Sequence, residues 1–141
     1  MPERFRIGVT RDFLKPDGSL GFGDIGLSLL DTNADVTWEF LPKLEPVLRP
    51  DTIASCDGLL LLGAKVSTAT LEGAGRLKII ARFGVGYDKV DVEACTRHGV
   101  VHRITPDGLR RPVATAVMTF LLALSHKLLV KDRLTREGRW A

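Results

Sequence analysis

The chain has 141 residues, room for one domain with a core of ordinary size, and its 45% hydrophobic and 26% charged content excludes a disordered or fibrous class. Its formal charge of +3 is spread along the chain apart from a cationic stretch, Lys127 to Arg139, whose only late aromatic is Trp140, so no nucleic-acid partner is expected. Cys56 and Cys95 lack metal or redox spacing, the start MPERFRIGVT has no apolar signal segment, and the longest charge-free apolar run, Pro112 to Ser125, is too short to span a bilayer; reduced core thiols, a cytoplasmic location and no membrane partner are expected.

The first predicted strand is Phe5 to Thr10, followed by a polar, glycine-bearing stretch from Arg11 to Gly23. Ile25, Leu27, Leu29 and Leu30 suggest a short helix ending near Asn33, and Val36 to Phe40 a second strand. Pro42, Pro46 and Pro50 break the next stretch into a loop, with at most a short helix after Asp51. Gly58 to Leu62 (GLLLL) is a continuous apolar run, as expected of a parallel strand covered on both faces. Ser67 is placed to cap a short helix, and Lys78 to Arg82 predicts the fourth strand. Asp91 is placed to cap a helix from Val92 to His98, with Gly99 as its C′ residue. Val100 to Ile104 completes five strands, and the alternation predicts a flavodoxin-like α/β parallel sheet over residues 1–104.

Thr105-Pro106-Asp107-Gly108 is expected to be a turn, with Pro112 in the first turn of a long helix running to about Arg133. Val113, Val117, Phe120, Leu121, Leu124 and Leu128 form one apolar stripe on it, and Met118, Leu122 and Leu129 a second. A helix apolar on two sides needs two packing partners. One of them is expected to be another subunit or a missing domain; a core helix of this domain is the plain alternative. His126 reads as a surface histidine.

The chemistry is expected where the fourth strand runs into Gly84-Val85-Gly86. Glycines at alternate positions let main-chain amides point outward, and Asp88 and Asp91 follow before a helix, so the turn reads as a site for a small carboxylate. A tight turn with no ligand is the plain alternative. The dinucleotide fingerprint is the rival, with Asp107 about 20 residues further on, but Lys89 occupies its third glycine position. Lys65, just past the third strand, lies at the same end of the sheet and can converge on the same ligand. An FMN site is disfavoured, since Arg11-Asp12-Phe13 replaces a phosphate loop after the first strand.

Taken in order, R-x-G-x-G-x-D-x-V-D (Arg82 to Asp91), G-V-V (Gly99 to Val101), Thr105-Pro106 and the long helix resemble the N-terminal half of a D-isomer-specific 2-hydroxyacid dehydrogenase, the family of phosphoglycerate dehydrogenase. The resemblance covers Gly58 to Ala141 well and Phe5 to Leu41 only by pattern. It implies a substrate domain whose Val85 and Gly86 amides and Lys65 hold the carboxylate of a small 2-hydroxy or 2-oxo acid. It also implies that residues 105–141 begin a nucleotide domain holding NAD or NADP, with Arg110 to Val113 approaching the nicotinamide side and the long helix, residues 112–133, contributing to a homodimer. The family's catalytic arginine, glutamate and histidine have no match in this chain, and Arg82, His98, His102 and His126 do not stand at their places. The chain is therefore expected to be an inactive portion of a longer oxidoreductase. Thr115 replaces the usual glutamate after Val-Ala, which weakens any transfer of substrate choice. A stand-alone flavodoxin-like module binding an anion or a partner is the alternative.

Overall fold

The computed structural model describes residues 3–139, and Trp140 lies outside them. The chain divides into two compact units, one ending at Thr105 and one beginning at Pro106.

The first unit is a five-stranded sheet of β1 (Phe5–Val9), β2 (Val36–Phe40), β3 (Gly58–Leu61), β4 (Ile79–Arg82) and β5 (Val101–Arg103). All neighbours are parallel, in the order β2-β1-β3-β4-β5, which is the flavodoxin-like arrangement that the alternation predicts. In register, Gly58 lies opposite both Ile7 and Ile79, and Ile79 opposite Val101.

Strand side chains alternate between faces, and the apolar run in β3 serves both. Leu59 and Leu61 belong to one buried cluster with Ile80, Ile53 of α2 (Pro50–Ile53), Leu71 of α3 (Thr68–Glu72) and Ala94 and Cys95 of α4 (Val92–Arg97). Leu60 and Leu62 pack instead against Val9, Phe13 and Leu27, together with Trp38, Phe40 and Phe83. Fully burying one such Leu contributes roughly 1.5–3 kcal/mol, so the central strand is fixed from two sides.

The helix ends follow their sequence signals. Ser67 caps α3 by accepting the Thr70 amide, and the Thr70 hydroxyl accepts the Ser67 amide in return. Asp91 caps α4 through the Ala94 amide at 2.9 Å. At the other end of α4, Gly99 at φ +67° donates to Thr96 and Val100 donates to Cys95, the paired bonds of a Schellman stop. The helix expected over Ile25 to Asn33 shrinks to α1 (Ser28–Asp31), because Asp24 accepts the Gly26 amide at 2.8 Å and holds its start in a side-chain turn.

The second unit departs from the sequence expectation. Thr105-Pro106-Asp107-Gly108 is not a free turn: α5 begins at Pro106 and runs to Ser125, with Pro112 in its interior. Proline suits the first helical position, so Pro106 starts the helix and Pro112 is accommodated at the loss of one main-chain bond. The helix does not continue to Arg133 either. Lys127 takes a left-handed conformation at φ 51°, and α6 (Leu128–Arg136) leaves at 58° to α5. No single helix among the described residues is long and apolar enough to cross a membrane; α5 and α6 reach that length and composition only together, across the bend.

Candidate functional site

β4 delivers the chain into Phe83-Gly84-Val85-Gly86 at the carboxyl end of the sheet. Gly84 sits at φ +135°, and a Cβ there would stand 1.6 Å from Nη1 of Arg82. Only glycine fits. The Gly84 amide donates to Thr105 Oγ1 at 2.7 Å, and its carbonyl accepts the Thr105 amide at 2.9 Å. The next two amides, of Val85 and Gly86, donate to no protein group among the described residues, and both residues are exposed. Two successive N–H groups without a protein acceptor are the kind of feature from which anion-binding concavities are built.

The helix after this turn adds less than the sequence implies. α4 starts only at Val92, beyond a turn closed by Val90 donating to Tyr87, and its amino end is already filled by the Asp91 carboxylate. The Thr68 hydroxyl, donating at 2.6 Å, does most to hold Asp91 below the usual carboxylate range, followed by the Ala94 amide; Arg97 and Lys65 add to it as nearby cations. Any anion at this turn would therefore meet the turn's own amides rather than a helix end.

A cavity of about 80 Å³ separates this turn from the loop after β3, lined by Gly63, Ala64, Arg82, Gly86, Tyr87 and Lys89 among others. Arg82 Nη1 donates to the Phe83 carbonyl, so its guanidinium is folded back over the turn. Lys65 and Val85 flank the residues of this lining. Lys65 is exposed, but its main chain is fixed on the β2 side by its own amide on Pro46 O (2.8 Å) and by Leu48 N on Lys65 O (2.9 Å). Its neighbour Val66 bridges to Val90, past the anion turn.

In a sheet of this order the crevice for a ligand ordinarily opens between β1 and β3, where the connections reverse direction. Here it is closed. Asp12, in the 3-10 turn after β1, accepts the Gly63 amide at 2.7 Å, and Thr10 Oγ1 accepts the Leu62 amide at 3.1 Å. The small cavity described above lies one strand over, between the loops of β3 and β4.

Lys65, Val85 and Gly86 thus stand at one end of one sheet. Arg110 and Val113 belong to the second unit, where both are exposed on α5 and Arg110 pairs with Asp107 at 3.4 Å. Sequence reasoning set Arg82 aside and passed over Thr105. The only trace of either was its place in the ordered motif, because a strand residue lining a cavity and a turn threonine serving as acceptor have no periodic signature. Below the site, His102 of β5 meets Tyr87 edge-on at 5.7 Å between ring centres. Burial pushes its pKa down, and its Nε2 is buried without a protein partner among the described residues.

Residues 27–129 match the family model of the D-isomer specific 2-hydroxyacid dehydrogenase catalytic domain. The chain belongs to that family. A glyoxylate reductase of Thermococcus kodakarensis is 39% identical over 117 residues, covering 82% of this chain and 35% of the relative. A crystal structure of a Pyrococcus horikoshii protein aligns with TM-score 0.70 and 25% identity over 97% of this chain and 38% of its own. Another, described as a putative D-isomer specific 2-hydroxyacid dehydrogenase, NAD-binding, from Polaromonas sp., aligns with TM-score 0.61 and 25% identity over 99% of this chain and 41% of its own. The chain thus spans about a third of the length of the curated relatives it matches.

Proposed function

We propose that this chain is the substrate-binding portion of an NAD(P)-dependent D-2-hydroxyacid dehydrogenase, and that the Val85 and Gly86 amides, with Lys65 as the nearby cation, hold the carboxylate of a small 2-oxo or 2-hydroxy acid. The observation that carries this reading is the reciprocal pairing of Gly84 with Thr105, which takes up the N–H and C=O of that residue and leaves the next two amides free at the carboxyl end of the sheet. Arg82 adds a second positive charge at the adjoining cavity. Fixing the carboxylate in this way presents C2 of the acid in one orientation, so binding energy serves positioning. The names of the curated relatives make glyoxylate the first acid to test.

A nicotinamide cofactor supplies and accepts hydride in such a reaction. The described residues do not fit its pyrophosphate. In the glycine-paired turn after β4, Lys89 occupies the third position and reaches across to Gly63 O at 2.9 Å. Under this reading the nucleotide is held by the part of the relatives' length that this chain does not span, Arg110 and Val113 contribute only at its edge, and the chain alone is inactive. A homodimer through the apolar side of α5 belongs to the same reading, as does a cytoplasmic location.

Titrating glyoxylate into the 15N-labelled chain tests the site. Val85 and Gly86 are expected to move first and furthest, and Lys65→Met to weaken the response. Unmoved amides at those two positions would overturn the assignment. Steady turnover of glyoxylate with NADH by the 141-residue chain would overturn its inactivity.

A further inference from the structure

Lys89 is the residue that breaks the dinucleotide fingerprint, and the carboxylate site as described does not use it. Its ammonium donates to Gly63 O at 2.9 Å, and the amide of the same Gly63 is held by Asp12 Oδ2 at 2.7 Å. One residue of the β3 loop is therefore gripped by side chains from two other loops, through its donor on the β1 side and its acceptor on the β4 side. Space at that point is tight, since a Cβ on Gly63 would lie 3.2 Å from Asp12 Oδ2. The grip also bridges the cavity: Gly63 and Lys89 both line it, as does Gly86, three residues before Lys89.

We propose that Asp12 and Lys89 are positioning residues that set the spacing between the β3 loop, which carries Lys65, and the β4 turn, which carries the Val85 and Gly86 amides. Neither needs to touch the ligand. Lys65 is two residues from Gly63, and its own main chain is held from the β2 side by Pro46 and Leu48. Before Lys65 the loop is held at Leu62, whose amide Thr10 Oγ1 accepts, and at Gly63; just after it, the Val66 main chain is bonded to Lys89 O and Asp91 N. Without Asp12 the Gly63 amide loses its acceptor, and without Lys89 the Gly63 carbonyl loses its link to the β4 segment, while the main-chain bonds of Val66 and the Thr68–Asp91 bond remain. In either case the Gly63 side of the cavity is held less firmly against the turn amides, and a carboxylate seated there is held less well. Asp12 Oδ1 is buried with no partner among the described residues.

This inference rests on the carboxylate reading of the Val85-Gly86 turn, and one experiment separates the two. Glyoxylate is titrated into the wild-type chain and into Asp12→Ala, Asp12→Asn, Lys89→Met and Lys89→Arg, reading the affinity from the Val85 and Gly86 amide shifts and, separately, the hydrogen-exchange rate of the Gly63 amide. Removing one hydrogen bond of this kind is expected to weaken binding about three- to tenfold in Asp12→Ala and Lys89→Met. Asn retains an acceptor and Arg a donor long enough to reach, so both conservative variants should bind within about twofold of wild type. Gly63 exchange should quicken in the two weakened variants. Lys89 is exposed, so its variants report even if Asp12→Ala fails to fold. If the wild type binds and all four variants bind equally, the positioning role is wrong while the carboxylate site stands. If Lys89→Met loses affinity with Gly63 exchange unchanged, Lys89 touches the ligand itself and the positioning role is wrong for it. If the wild type shows no shift at Val85 and Gly86, the carboxylate site falls and the positioning role with it.

Discussion

Gly84 and Thr105 bond to each other twice, amide to hydroxyl at 2.7 Å and carbonyl to amide at 2.9 Å, so that the end of β5 holds the turn leaving β4. Thr105→Val keeps the shape and removes the acceptor, leaving a partly buried N–H without a partner. The expected loss is about 1–3 kcal/mol in urea unfolding, with Thr105→Ser close to wild type. Glyoxylate affinity should fall alongside stability in Thr105→Val, because the same pairing sets the Val85 and Gly86 amides outward.

Gly84→Ala attacks that turn more directly. The backbone at φ +135° costs about 1–3 kcal/mol for any side chain, and the Arg82 guanidinium, 1.6 Å from where the new Cβ would stand, must swing away. The outcome expected is a folded chain with a lower melting temperature and no detectable shift of the Val85 and Gly86 amides on adding glyoxylate. Unchanged shifts would mean the turn tolerates rearrangement and is not the preorganised site described here.

Much of this was legible in the sequence because its signals are local. The β3 run Gly58 to Leu62 announces burial on two faces, Ser67 and Asp91 precede their helices at capping positions, and Gly99 ends α4 where a left-handed residue is needed. The Gly84-Val85-Gly86 turn is visible for the same reason. What was misread depends on competition between local signals or on distance. Pro106 and Pro112 both offer a helix start, and composition cannot tell that the first wins. The break at Lys127 falls in a stretch with no glycine or proline to mark it. The bonds Asp12 and Thr105 make to the site span 51 and 21 residues, and nothing in the spacing of such residues encodes them.

Acid should destabilise the protein in two separate windows. Burial lowers the pKa of His102, so below about 6.5 the unfolded chain takes up a proton that the folded chain resists, and stability falls as pH drops through that value. Asp91 is depressed, first by the Thr68 hydroxyl; its contribution is complete above about 3.8 and is lost only as pH falls below that toward its folded value. Burial raises Asp57, but the Arg6 amide and the Arg76 guanidinium outweigh it, so the net depression places Asp57 in the same lower window. Urea midpoints measured from pH 8 to pH 5 should decline in the wild type and flatten in His102→Phe, which removes the titrating ring and its unpartnered Nε2 while keeping an aromatic face for Tyr87. An equal decline in His102→Phe would place the upper window elsewhere.

The two cysteines give a direct check on the core. Cys56 and Cys95 are buried, and burial raises both thiols, which suppresses the reactive thiolate. At pH 8 a disulfide reagent such as Ellman's should find neither thiol in the folded chain and both after unfolding in urea. Rapid reaction of one thiol under native conditions would mean that α4 or the segment around Cys56 opens far more readily than its packing implies.

The apolar side of α5 sets the last expectation. None of its residues is buried, and Phe120 and Leu124 expose 67% and 76% of their surface, among Val113, Val117 and Leu121 at helical spacing. An exposed apolar stripe of this length marks an interaction surface, and under the proposed function a two-fold pair of α5 helices would cover it with the same residues from each copy. Sedimentation over a concentration series should therefore give a dimer. Phe120→Glu with Leu124→Glu, which place charges in the stripe without touching the first unit's core, should give a monomer that keeps its Val85 and Gly86 response to glyoxylate. A wild-type chain that stays monomeric at high concentration would remove the dimer from the proposed function and leave the carboxylate site untouched, because that site lies wholly within the first unit.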